Sequence, residues 1–153
     1  MPTLVDTRIL LRGFVQKDPQ YREKRRALVK LRRRGEVLLT SFQNIAEFVN
    51  VSTRPTSARG GYGLSFETTD IRVRFIESVC HVVTENPSSY DRWRELIARY
   101  GVSGVTVHDA RLVALMLVHG AQQLLTLNER DFRRYEPEGI IIATPQSLIS
   151  ANS

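Results

Sequence analysis

The chain has 153 residues and a formal net charge of +6, enough for a single domain over residues 1–153 with a buried core and a balance that suits a polyanionic partner, nucleic acid first. It contains no run of about 18 apolar residues, so no transmembrane helix is expected. The opening "MPTLVDTRILL" lacks the basic start and cleavage site of a signal peptide, which predicts a cytoplasmic location and no membrane partner. Cys80 is the single cysteine, which excludes a disulfide framework and a cysteine-based metal site, and its setting "IESVCHVV" predicts a buried, inert thiol.

Taken in chain order, "TLVD" reads as a short buried strand, followed by a helix from Thr7 to about Val15. Asp18 and Pro19 form the next helix start, with Asp as N-cap and Pro as first helical residue, and this helix stops at Gly35. It carries most of the positive charge. Arg22, Arg25, Arg26, Lys30 and Arg33 are candidate contacts for an RNA backbone, through phosphate binding with counterion release, although a solvated face or the seat of an acidic partner segment gives the same pattern. The apolar side of that helix is Tyr21, Leu28 and Leu31.

"EVLL" is the next strand, and "TSFQNIAEFVNVST" the next helix, ended by Pro55, with Thr40 and Gln43 at capping-box spacing. Residues 55 to 66, "PTSARGGYGLSF", read as a mobile loop. A helix over "ETTDIRVRFIES", a strand "CHVVTE" and an amphipathic helix "PSSYDRWRELIARYG" with a glycine stop come next. "VTVHDARLVALMLVHG" is the most apolar helix and therefore a central one. "QLLTL" and "GIIIAT" are strands on either side of a turn-helix "NERDFRRY", and "PQSLIS" closes the chain with a helix. Strands alternating with helices predict an α/β fold: a single three-layer α/β/α domain around a central, mainly parallel sheet.

Four acidic residues, Asp6, Glu47, Asp109 and Asp131, fall where predicted strands end or helices begin. A parallel sheet gathers such positions at its carboxyl edge, where open α/β folds bind ligands. Carboxylates brought together there repel one another unless a divalent cation neutralises them, so Mg²⁺, or Mn²⁺ in its place, is the implied cofactor and a phosphate ester the implied substrate. Each residue also has a local explanation. Asp6 is a normal N-cap, Glu47 a plain exposed glutamate, and Asp109 the partner of Thr106 in a capping box. Asn128 with Asp131 makes a further cap. His108 is a candidate phosphate contact or a surface residue. Four separate caps have no reason to coincide at one edge of one sheet.

The stretches "VDT", "TSFQNIAEFVNVSTRP", "HDARLVALMLVHGAQQLLTLNERDF" and "GIIIATP", in that order, resemble a PIN-domain ribonuclease, specifically the small toxin of VapBC toxin–antitoxin pairs. The resemblance implies a PIN-like fold and an endoribonuclease in which Asp6, Glu47, Asp109 and Asp131 serve as metal ligands and catalytic groups, Asp131 directly or through water. It implies in-line attack leaving a 5′-phosphate and a 3′-hydroxyl. Thr7, Ser41, Thr126 and Asn128 are the supporting residues of those segments. The usual "DT" of the family is followed by Asn, where this chain has Arg8, and Asn128 stands where many members carry another Asp. An antitoxin partner, an RNA substrate and a homodimer are implied as well. Two other readings stay open: an RNase H-like metal-dependent nuclease, and a non-catalytic RNA- or protein-binding PIN-like module.

Overall fold

The computed structural model describes residues 1–13 and 21–150. Its centre is a five-stranded sheet built from β1 (Thr3–Val5), β2 (Leu38–Ser41), β3 (His81–Val83), β4 (Gln123–Leu125) and β5 (Ile141–Ala143), in the order β3-β2-β1-β4-β5. Every pairing is parallel, with Leu4 opposite Leu39 on one side and Leu124 on the other. A helix follows β1 at once, and no antiparallel meander occurs among the described residues. That removes the RNase H-like reading.

The helices are α1 (Thr7–Gly13), α2 (Tyr21–Arg33), α3 (Phe42–Thr53), α4 (Phe66–Val79), α5 (Pro87–Tyr100), α6 (Val107–Val118), α7 (Glu129–Phe132) and α8 (Pro145–Ser150). Successive strand residues point to opposite faces, so each short strand feeds two cores. Leu4, Leu39 and Leu124 join α5 and α6 in one cluster. Val5, Leu38 and Leu125 join α1, α2, α3, α4 and α8 in the other. Burial on both faces explains why the central strands read as apolar runs. The result is a three-layer α/β/α fold.

Several boundaries differ from the sequence reading. β2 runs from Leu38 to Ser41 rather than over "EVLL", because Ser41 still pairs with Val83. Ser41, not Thr40, is therefore the N-cap of α3, in a reciprocal capping box with Asn44. Thr40 stays in the sheet and its Oγ1 donates to the Val5 carbonyl at 3.3 Å. β3 is shorter than "CHVVTE". α5 ends on Gly101 in the left-handed region, φ 61°, as its glycine stop predicts. The buried face of α2 includes Lys24 as well as Ala27, Leu28 and Leu31. The predicted start at Asp18 and Pro19, and the extension of α1 to Val15, lie outside the described residues. Cys80 is buried, and burial pushes its thiol up to about 12. No helix among the described residues is long and apolar enough to cross a membrane.

Candidate active site

The strand order reverses between β1 and β4, where helices leave the carboxyl edge in opposite directions and a crevice opens. Asp6 stands at that point, immediately after β1. Its backbone N–H donates to the Leu125 carbonyl at 3.0 Å, tying it to the end of β4. Its carboxylate is held from three directions. Oδ1 accepts from the Thr7 N–H at 2.8 Å and from Asn44 Nδ2 at 3.3 Å, while Oδ2 accepts from Thr126 Oγ1 at 2.7 Å. Two of the three donors come from other elements, so Asp6 does more than cap α1.

Glu47 lies in the second turn of α3 and is exposed, with Oε2 accepting from Thr7 Oγ1 at 2.8 Å. The Thr7 hydroxyl in turn accepts from Asn44 Nδ2 at 2.9 Å. Asn44 is held on its other side by Ser41, whose Oγ donates to Asn44 Oδ1 at 2.6 Å. Ser41 is buried, so its support reaches the crevice through Asn44. Asn44 itself, 1% exposed, is the joint of this network and was not singled out from sequence. An asparagine three residues after a capping serine was the available signal.

Asp109 opens α6 on the opposite wall. Thr106 makes no side-chain cap there; its hydroxyl donates to the Ser103 carbonyl at 2.5 Å, because a short 3₁₀ turn over Gly104–Thr106 precedes the helix. The capping-box account of Asp109 therefore fails. Its carboxyl is pushed up to about 6, first by burial and then by the negative charges of Asp131, Asp6 and Glu47. Asp6 is raised too, by burial above all, with the Glu47 charge adding and the Thr126 and Thr7 hydrogen bonds opposing. All four carboxylates thus act on one small volume.

They do not stand equally close. Asp6, Thr7, Glu47, Asp109 and Asn128 line a single cavity of about 820 Å³. Asp131, on the exposed side of α7, reaches Asp109 through its charge. Among the described residues, no three His, Cys, Asp or Glu side chains converge tightly enough to hold one ion between them. The two observations concern different ranges, since charges act over distances longer than a metal–ligand bond. Asn128 makes no side-chain cap for α7; its N–H donates to Thr126 Oγ1 at 3.0 Å.

Other candidates lie elsewhere. Arg25, Arg26, Lys30 and Arg33 line a separate groove of about 670 Å³ along α2, together with Ile149 of α8. Lys30 Nζ donates to the Leu148 carbonyl at 2.6 Å, and the Arg25 guanidinium sits 5.3 Å above the Phe75 ring. Arg22 is exposed and outside both cavities. His108 turns away from Asp109 into a third cavity, of about 590 Å³, beside Tyr90, Trp93 and Arg111.

Solved structures share this architecture. VapBC2 from Rickettsia felis, bound to a promoter DNA fragment, matches with 15% identity and a TM-score of 0.66, over 94% of this chain and 98% of that one. VapBC-1 from nontypeable Haemophilus influenzae matches with 16% identity and a TM-score of 0.64, over 95% and 99%. VapC20 from Mycobacterium tuberculosis, described as a sarcin–ricin loop cleaving toxin, gives 18% identity and a TM-score of 0.56, over 80% and 86%. At these identities the likeness is one of fold. No curated protein sequence gives a significant match. The sequence model of the PIN domain matches residues 3–137, a span that takes in Asp6, Glu47, Asp109 and Asp131. This chain belongs to the PIN domain family.

Proposed function

We propose that this protein is a Mg²⁺-dependent endoribonuclease and the toxin of a toxin–antitoxin pair. The observation that carries the reading is the crevice itself: Asp6, Glu47 and Asp109, from three separate elements, line one cavity, and their mutual repulsion with Asp131 raises the proton affinity of Asp109. Such a field attracts cations. The family supports phosphodiester chemistry, and the solved relatives that share the fold include a toxin described as cutting the sarcin–ricin loop and two VapBC complexes.

The donors suit the ion. Mg²⁺ takes oxygen ligands, keeps several waters and is held by one or two carboxylates together with substrate phosphates. The cavity offers oxygen donors of that kind in Asp6, Glu47, Asp109 and Asn128. Asp6, Glu47 and Asp109 would hold one or two such ions between them, with Asp131 helping directly or through water, and Mn²⁺ can replace Mg²⁺. A divalent cation bound there supplies positive charge against the phosphate and makes water acidic enough to attack near neutral pH. The chain's own groups do the rest. Thr126, Thr7 and Asn44 fix the Asp6 carboxylate, and the Thr7 hydroxyl fixes Glu47 to α1, so two acidic groups are set in place before substrate arrives.

The exposed cations of α2, Arg22, Arg26 and Arg33, with Arg25 and Lys30 beside them, belong to the same proposal as contacts for RNA outside the crevice. An antitoxin partner, a homodimer and a cytoplasmic location belong to it as well. The test is cleavage of labelled RNA by purified protein with Mg²⁺ or Mn²⁺, against an EDTA control. That no three carboxylates converge on one point among the described residues also fits a non-catalytic RNA-binding module. RNA binding without metal-dependent cleavage would establish that reading instead.

A further inference from the structure

The crevice is not lined by acids alone. Arg8, Arg54 and Arg59 line the same cavity as the carboxylates. Arg8 follows Thr7 in the first turn of α1; it is exposed, and its charge acts on Asp6. None of the ion pairs among the described residues joins these three arginines to a carboxylate.

Arg59 is carried by a loop built to hold its shape. The Ala58 N–H donates to the Pro55 carbonyl at 2.9 Å and Gly61 to Ala58 at 3.0 Å. Tyr62, Gly63 and Leu64 then return to α3, donating to Val51, Arg54 and Ser52 at 3.1, 2.8 and 2.8 Å. Arg54 closes the loop with Nη1 donating to the Arg59 carbonyl at 2.8 Å. Gly61 packs so tightly that a Cβ there would stand 2.2 Å from the Pro55 carbonyl oxygen. These bonds tie the loop back to α3, and the side chain it presents at the cavity wall is a guanidinium.

A guanidinium is a planar fork that matches phosphate oxygens and sheds its water readily. The carboxylates receive a phosphate only with a cation between them, whereas the arginines receive one directly. A cavity of about 820 Å³ lined by both kinds of group suits a chain of repeating phosphates. An acidic peptide also satisfies the arginines, but it brings only repulsion to Asp6 and Glu47. We propose that Arg59 and Arg8 form an anion subsite for a nucleic acid phosphate next to the one at the carboxylates, with Arg54 positioning the loop of Arg59. The subsite selects a strand over a mononucleotide. It rests on the nuclease reading for which phosphate reacts.

The test is the salt dependence of binding. A labelled single-stranded RNA of about 12 nucleotides is titrated by fluorescence anisotropy in EDTA, where nothing is cut, across a series of salt concentrations; each lost phosphate contact lowers the slope of log affinity against log salt by about 0.7. Arg8→Gln and Arg59→Gln each show that drop, the double variant about 1.4, and Arg59→Lys keeps the slope because it keeps the charge. Where the wild type cuts RNA with Mg²⁺, the double variant loses more in KM than in kcat. A double variant with unchanged slope and affinity overturns the subsite, as does a glutamate peptide of equal charge that binds the wild type more tightly than RNA. A wild type with an arginine-dependent slope that never cleaves with Mg²⁺ removes the nuclease reading and leaves the subsite. Cleavage with an arginine-independent slope does the reverse.

Discussion

Thr126 and Asp6 are 120 residues apart in the chain and meet at the adjoining ends of β4 and β1, where the threonine Oγ1 donates to Asp6 Oδ2 at 2.7 Å. The same oxygen accepts from the Asn128 N–H at 3.0 Å, so one buried hydroxyl serves both the carboxylate and the start of the following loop. Thr126→Val removes a donor and an acceptor at once. It is expected to lower stability by about 1–3 kcal/mol, the cost of leaving such groups unpaired, and to lower cleavage with it. Thr126→Ser restores most of both. Urea denaturation of the two variants checks this.

Asp109→Asn is expected to reduce cleavage by more than about 100-fold, beyond the loss that removing a supporting partner causes. Asp6→Asn should do the same. Initial rates with labelled RNA and Mg²⁺ measure both, and a fully active Asp109→Asn would place that residue outside the chemistry.

Stability without a divalent cation should depend on pH in a defined direction. The Asp109 carboxyl sits at about 6 in the folded chain against 3.8 for the free group, and Asp6 is shifted the same way. Their protonated forms favour folding fully below the lower value, and that contribution is lost as pH rises through about 6. Solvent screening holds the effect of Asp109 to about 1 kcal/mol. In EDTA, Asp109→Asn should flatten this fall and be at least as stable as the wild type at neutral pH. Denaturation midpoints across the interval decide it.

Mg²⁺ should reverse the same penalty. At about 100 times its dissociation constant, an ion that binds only the folded chain adds about 2.7 kcal/mol. Thermal denaturation should show a rise of several degrees, abolished by EDTA and absent in Asp6→Asn.

Asp131→Asn tests action at a distance. Its negative charge is the largest of the charge effects on Asp109, so removing it should bring that carboxyl down toward the usual range. A ¹³C carboxyl titration reads the shift. Cleavage should fall less than in Asp109→Asn.

Gly61→Ala should destabilise the loop that carries Arg59. The added methyl meets the Pro55 and Arg54 carbonyl oxygens at 2.2 and 2.6 Å, and both are backbone atoms that move only with the loop. Overpacking of this kind costs about 1–3 kcal/mol, measurable as a lower denaturation midpoint.

The order of strands and helices was legible in the sequence, because apolar runs such as "TLV" and "QLL" and the helical spacing of α5 and α6 are short-range signals of burial. So were the positions of Asp6 and Asp109, each at the end of an apolar run or the start of a helix. Capping was read less well, since Thr40 and Thr106 have the spacing of caps but are engaged by a strand partner and a 3₁₀ turn. Spacing does not say which neighbour a hydroxyl finds. Only the tertiary structure set β1 between β2 and β4, joined Thr126 to Asp6 and Thr7 to Glu47, and turned His108 away from the crevice. It also parted the arginine run of α2 from the carboxylates and brought Arg59 to them, beside the Arg8 that already follows Asp6 in the chain. The physical reason is range. Periodicity and capping are decided within a few residues, whereas the company a side chain keeps is decided by which distant strands pack together.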